Sequence, residues 1–224
     1  MVRGGGAVTE ETYAGVFGTA DEAELVAWMQ AVTSLGWSGP VRRPSTPAPC
    51  RARYGWRNAS VRSFAPPHPS DREVASVIEA AYGGPGDRPV PSAGGLYALR
   101  LVVADLGEGA PARGAGTVWA ALSPGESEAM AEAFFGSVAG PHCVVVFAGA
   151  PEAPVLRYGA RGYRYLLLEA GHCAQELLRA AQAIGLHSCP LGAFDDQALS
   201  ALLRLDWSGE IPLYAVAIGR AAGS

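Results

Sequence analysis

Arg157-Tyr158-Gly159-Ala160-Arg161-Gly162-Tyr163-Arg164-Tyr165 leads into Leu166-Leu167-Leu168-Glu169-Ala170-Gly171-His172-Cys173-Ala174-Gln175, and this stretch decides the fold. From Arg161 to Ile184 the apolar positions Leu166, Leu167, Ala170, Ala174, Leu177, Leu178 and Ala181 recur at helical spacing over most of the circumference. That pattern predicts a long central helix covered on several sides. Gly185 is placed to end it.

Working outward, shorter elements surround this helix. Cys143 to Ala148 is an apolar run of strand length, with further strands at Leu99–Val103, Val118–Leu122 and Leu213–Ile218. Ser70-Asp71-Arg72-Glu73 has capping-box spacing and precedes Val74, Val77, Ile78 and Ala81, so a helix begins there and stops at Gly83-Gly84-Pro85. Glu126 to Phe135 is another helix. The segments between strands vary too much in length for a regular βαβ series. They predict an α+β fold, a mixed central sheet flanked by helices. Residues 1–50 read as an N-terminal arm with a short helix near Asp21 and a Pro-rich linker, and residues 51–224 as the main domain.

Composition narrows the chemistry. The chain has 224 residues, and its net charge of −4 disfavours nucleic-acid binding. All 17 basic residues are arginine. A lysine Schiff base, a phosphate-loop lysine and a lysine general base are therefore excluded. The four cysteines form no CxxC pair, so neither a zinc cluster nor a disulfide framework is expected. No signal peptide and no run of membrane-spanning length stand out, which reads as a cytoplasmic protein.

Three segments, taken in order, carry a resemblance. They are Ser60-Val61-Arg62-Ser63-Phe64, then Pro91-Ser92-Ala93-Gly94-Gly95-Leu96-Tyr97, then the opening stretch continued through Gly185-Leu186-His187-Ser188-Cys189-Pro190-Leu191-Gly192. Over about residues 57–220 the chain resembles the SagB-type dehydrogenases of the FMN-dependent nitroreductase superfamily, which include azoline oxidases of ribosomal-peptide natural products. The resemblance implies a nitroreductase-like homodimer with FMN held between subunits. Ser60 and Arg62, with Arg57 before them and Arg220 after the last strand, would hold the phosphate and ribityl chain. Pro91, Ser92, Ala93 and Gly94 would lie by the ring. A turn at Leu191 and Gly192 would offer backbone N–H groups to it. Arginine forks suit a phosphate, and glycines let backbone approach a flat ring.

The implied function is oxidation of a peptide-derived azoline to an azole. Tyr158 would accept the proton and Arg157 would be the cation beside it. Two departures leave a second reading open. Asn58-Ala59 stand where the family has a basic pair, and Arg157 stands where azoline oxidases carry lysine. A member with weak or no FMN could act as a scaffold or partner in a peptide-modifying complex. A nicotinamide-dependent nitro or quinone reductase is a third reading. His172 reads as a core histidine, and Cys173 and Cys189 as small packing residues. His187 lies near the ring turn.

Overall fold

The computed structural model describes residues 59–83, 88–106, 117–206 and 208–223, with the side chains of 117–119 and 121 left out. Arg57, Cys50, the N-terminal arm and the 50/51 boundary lie outside the described residues.

Five strands form one mixed sheet in the order β2-β1-β3-β5-β4. They are β1 (Leu99–Asp105), β2 (Thr117–Ala121), β3 (Cys143–Gly149), β4 (His187–Leu191) and β5 (Ile211–Gly219). β1 pairs with β2 in parallel; the other pairings are antiparallel. Helices α1 (Asp71–Tyr82) and α4 (Arg161–Ala183) cover one face. Helices α2 (Pro124–Ala133) and α5 (Asp196–Leu203) cover the other. A short α3 (Glu152–Tyr158) leads into α4.

Period-2 alternation divides the strands between two cores. Leu99, Leu101, Val103, Val145, Phe147, Val216 and Ile218 face α1 and α4, where Val74, Val77, Leu166, Cys173 and Leu177 close the layer. Val102, Ala104, Val144, Val146, Ala215 and Ala217 face Met130, Phe134, Leu199 and Leu203. A strand buried on both faces reads as a continuous apolar run, which explains the lack of alternation in Cys143–Ala148.

The capping box at Ser70 forms in full. The Ser70 hydroxyl accepts the Glu73 N–H, and the Glu73 carboxylate accepts the Ser70 N–H at 2.8 Å. Gly83, at φ 62, ends the helix as expected. A second capping box, Ser123 with Glu126, starts α2 two residues earlier than expected, because Pro124 is suited to a first turn that needs no N–H.

Three readings change. The central helix is buried on one side only: Leu167 and Leu168 are 40% and 53% exposed, and His172 is exposed rather than in the core. The Leu191 segment is not a turn but β4, an edge strand, where Pro190 costs no central ladder bond. Cys189 and Leu191 point inward from it, into the second core. Helices α3 and α5 escape the hydrophobic pattern. Pro151 and Pro154 fall within the first turn of α3, where proline is tolerated. The Asp195 side chain caps α5 by accepting from the Ala198 N–H. Cys173 and Cys189 are fully buried packing residues. Among the described residues no helix is long and apolar enough to cross a membrane.

Candidate functional site

The sequence-predicted residues gather into two groups at opposite ends of the sheet. The register fixes those ends. Leu99, Gly149 and Ile211 lie side by side at one end, and Asp105, Cys143 and Ile218 at the other. The seven residues of β1 separate them by roughly 20 Å.

At the Ile218 end the first motif meets the last strand. The Val61 N–H donates to Ser188 O at 3.1 Å, on the outer edge of β4. The Ala65 N–H donates to Arg220 O at 3.0 Å, and the Ala222 N–H donates to Ser63 O at 3.0 Å. The residues 61–65 are thereby tied to β4 and to the chain after β5, while the Phe64 N–H donates to Ala139 O at 2.9 Å. The Ala221 N–H donates to His187 Nδ1 at 3.3 Å, so His187 belongs to this end rather than to the ring turn. Arg62 is exposed and donates from Nη1 to Ser137 O at 3.1 Å. Arg220 donates from Nη2 to Glu73 Oε1 at 2.9 Å, and both side chains remain about a third exposed. Backbone pairing brings the segment that carries Ser60 and Arg62 to the chain that carries Arg220, and two guanidinium forks with a hydroxyl are donors whose chemistry fits a phosphate.

At the Leu99 end the second motif meets the third. Pro91 is exposed, Ser92 and Ala93 half-buried, and residues 93–95 make a tight helical turn just before β1. Gly94 has φ +63, and a Cβ placed there would lie 2.8 Å from Arg157 Cζ and closer still to the Tyr158 hydroxyl. Glycine is favoured there by its positive φ, and a larger residue would also displace the tips of Arg157 and Tyr158. Arg157 Nη1 donates to Gly94 O at 3.3 Å, and its Cζ lies 5.4 Å from the Tyr158 ring centroid. Tyr165 meets the Tyr158 ring edge-on at 5.2 Å. The pair sits at the end of α3, which packs closely on α4. A Cβ on Gly162 would come 2.6 Å from Val155 N, so only glycine permits that approach. Gly192 is exposed just beyond β4, and a Cβ placed there would lie 3.6 Å from the Tyr214 ring. Leu191, in contrast, offers a strand backbone paired with Ala215.

One residue here was absent from the sequence reading. Glu169, only 4% exposed, accepts from the Tyr82 hydroxyl at 2.8 Å and from the Ser92 hydroxyl at 2.5 Å. Burial and the neighbouring carboxylate push the Tyr82 phenol far up from its ordinary value. The signal was present: Glu169 falls in the stripe Leu166, Ala170, Cys173, Leu177, where an acid needs buried partners.

Comparisons with known proteins agree with this architecture. The model of the nitroreductase family matches residues 57–220. A Methanocaldococcus jannaschii protein, by name a nitroreductase, is 30% identical over 176 residues, covering 73% of this chain and 87% of its own. The microcin B17-processing protein McbC of Escherichia coli is 25% identical over 170 residues, 64% of this chain and 60% of McbC. Among solved structures, the E. coli microcin synthetase McbBCD complex with truncated pro-MccB17 bound aligns with TM-score 0.63 at 20% identity, over 91% of this chain and 83% of that one. The oxidoreductase YcnD of Bacillus subtilis aligns with TM-score 0.56 at 17% identity, over 74% and 64%. With the mixed sheet, the flanking helices and a family match spanning most of its length, the chain belongs to the nitroreductase family.

Proposed function

We propose that the protein is an FMN-dependent dehydrogenase of the SagB type, acting on a peptide-derived azoline as a homodimer. The observation that carries this reading is the packing of Gly94 against Arg157 and Tyr158. It joins the segment expected beside a flavin ring to the pair expected to act on substrate. FMN, when bound, would supply the two-electron chemistry that no side chain of this chain offers. Arg62, Arg220 and Ser60 would hold its phosphate end. Ser92, Gly94 and the exposed Gly192 would meet its ring.

The chain's own part in the reaction is to position and to take a proton. Lysine is absent and arginine stays charged, so Tyr158 is the side chain at this end suited to accept the Cα proton of an azoline. Arg157 is held over the Tyr158 ring and anchored on Gly94 O. It would orient a substrate carbonyl. Separation of the two groups by the length of β1 favours a site completed by two chains, each contributing one end. The exposed Leu156 (80%), Leu167 and Leu168 on α3 and α4 offer an apolar surface for that pairing. McbC processes microcin B17 by name, and McbBCD is a complex bound to a peptide precursor. A peptide substrate and partner proteins are proposed here by analogy with them.

The test is FMN content of the purified protein, followed by azole formation from an azoline peptide under air. A yellow dimer that releases the oxidised heterocycle supports the proposal. A colourless protein that cannot be reconstituted overturns it and favours the scaffold reading. One observation favours that second reading: Arg220 already has an acidic partner in Glu73.

A further inference from the structure

Glu169 lies outside the substrate and cofactor sets named above, yet it terminates two hydrogen-bond relays. The Leu99 N–H donates to the Tyr82 hydroxyl at 3.3 Å, and that hydroxyl donates to Glu169 Oε1. The Tyr97 N–H donates to the Ser92 hydroxyl at 2.9 Å, and that hydroxyl donates to Glu169 Oε2. One carboxylate on the central helix thereby fixes the loop 92–98 where it turns back at Ser92 and Tyr97 and where it enters β1 at Leu99.

The loop needs such a restraint. Gly94, Gly95 and Tyr97 all have positive φ, at 63, 67 and 48°. For tyrosine that conformation is unfavourable and persists only when the surroundings over-determine it. Ser92 is otherwise a half-buried residue on a loop, whose hydroxyl has no fixed rotamer without a partner. The Arg88 guanidinium lies 4.3 Å from the Tyr82 ring centroid and 5.0 Å from that of Tyr97, placing a cation over both aromatic rings of the relay.

We infer that Glu169 is a positioning residue: through Ser92 and Tyr82 it holds the loop 92–98 in the conformation that receives the flavin ring. The inference rests on the flavin reading above, and it adds a residue that never touches the cofactor. Replacing Glu169 by glutamine keeps its shape but gives one of the two hydroxyl donors an N–H₂ group to face. The relay then fails on at least one arm, and the loop gains freedom at its positive-φ residues.

The experiment uses the full-length chain as Glu169→Gln, Ser92→Ala and the double variant. Three quantities are followed: FMN affinity, the visible spectrum of bound flavin, and hydrogen exchange at the Tyr97 and Leu99 amides of apo protein. Glu169→Gln should weaken FMN about tenfold, the equivalent of one charge-assisted hydrogen bond. It should also alter the flavin band and speed exchange at both amides. Ser92→Ala should speed exchange at Tyr97 but not at Leu99, and in the double variant exchange at Tyr97 should be no faster than in the faster single variant. Ser92→Thr, which keeps the hydroxyl, should restore affinity relative to Ser92→Ala. If Glu169→Gln lowers the melting temperature while exchange, spectrum and affinity stay as in wild type, the residue is only structural and the inference fails. Should wild type bind no FMN, the flavin reading falls by itself, and the exchange arm still decides whether the clamp exists. Should Glu169→Gln not fold, unchanged Tyr97 exchange in Ser92→Ala would still overturn it.

Discussion

Replacing Arg220 by alanine separates cofactor binding from folding. Arg220 pairs with Glu73 at 2.9 Å, and the two side chains are 31% and 34% exposed. A pair that open to water contributes about 0–1 kcal/mol. Glu73 also keeps its bonds to Ser70, so the capping box survives the loss. A guanidinium on a phosphate, in contrast, makes a charge-assisted bond worth roughly 1.5–3 kcal/mol. The expected result is a loss of FMN affinity of about 10- to 100-fold with a change in unfolding free energy below about 1 kcal/mol. Flavin fluorescence quenching measures the first and urea denaturation of the apo protein the second. Glu73→Gln is the complement. It removes the charge competing for Arg220 and should tighten FMN, while costing helix α1 part of its cap. If Arg220→Ala binds FMN as wild type does, the phosphate is held elsewhere and the grouping at the Ile218 end has no cofactor role.

Tyr158→Phe should keep FMN and fold but lose about 10²- to 10⁴-fold in turnover of an azoline peptide, the usual worth of a general base; full activity would remove Tyr158 from the reaction. Gly162→Ala should push α3 off α4, displacing Arg157 and Tyr158 and lowering turnover, which steady-state kinetics beside circular dichroism would reveal. Leu156→Glu with Leu168→Glu should shift the protein from dimer to monomer and release FMN; sedimentation showing an intact dimer would place the interface on another surface. Hydrogen bonds from Ser70 and the nearby Arg220 hold the Glu73 carboxyl below its ordinary value. Its stabilising effect is therefore present above the unfolded carboxylate pKa of about 4.3 and is lost as pH falls through the lower folded value. The melting-temperature gap between wild type and Glu73→Gln should close below that point.

Local signals made some elements legible and tertiary context hid others. Ser70 and Glu73 announce α1 because both halves of a capping box are written within four residues. The long apolar period of α4 announces a buried helix, but period alone does not reveal that Leu167 and Leu168 remain exposed in one chain. The resemblance implies a turn at Leu191 and Gly192, but Leu191 lies in β4, whose place at the sheet edge makes Pro190 acceptable there. Among site residues, Gly94 and Tyr158 were legible as motif members, whereas their mutual contact bridges 64 positions and has no local trace. Glu169 carries a sequence signal, an acid within an apolar stripe, but its partners Tyr82 and Ser92 lie 87 and 77 positions away. Arg57 remains an expectation from the sequence.

The division of the motifs between two sheet ends bears on which reading the chain supports. The residues proposed for the phosphate follow β5 and precede α1, while the loop proposed for the ring precedes β1 and the Arg157–Tyr158 pair follows β3. Both sets are built with some precision. Residues 61–65 are bonded to β4 and to residues 220–222, and the loop 92–98 is clamped by a buried carboxylate. Tyr97, at φ 48°, is the strained residue of that loop. Strained backbone is retained where the surroundings enforce it, and such places concentrate at ligand sites. On the proposed reading, one chain's loop would meet the other chain's phosphate end, and cofactor binding would depend on dimerisation. Monomer-forming substitutions on α3 or α4 should then lose flavin even though every motif residue is intact. That coupling, measured as FMN content against dimer fraction across a dilution series, should be proportional; flavin retained by monomer would require a complete site within one chain.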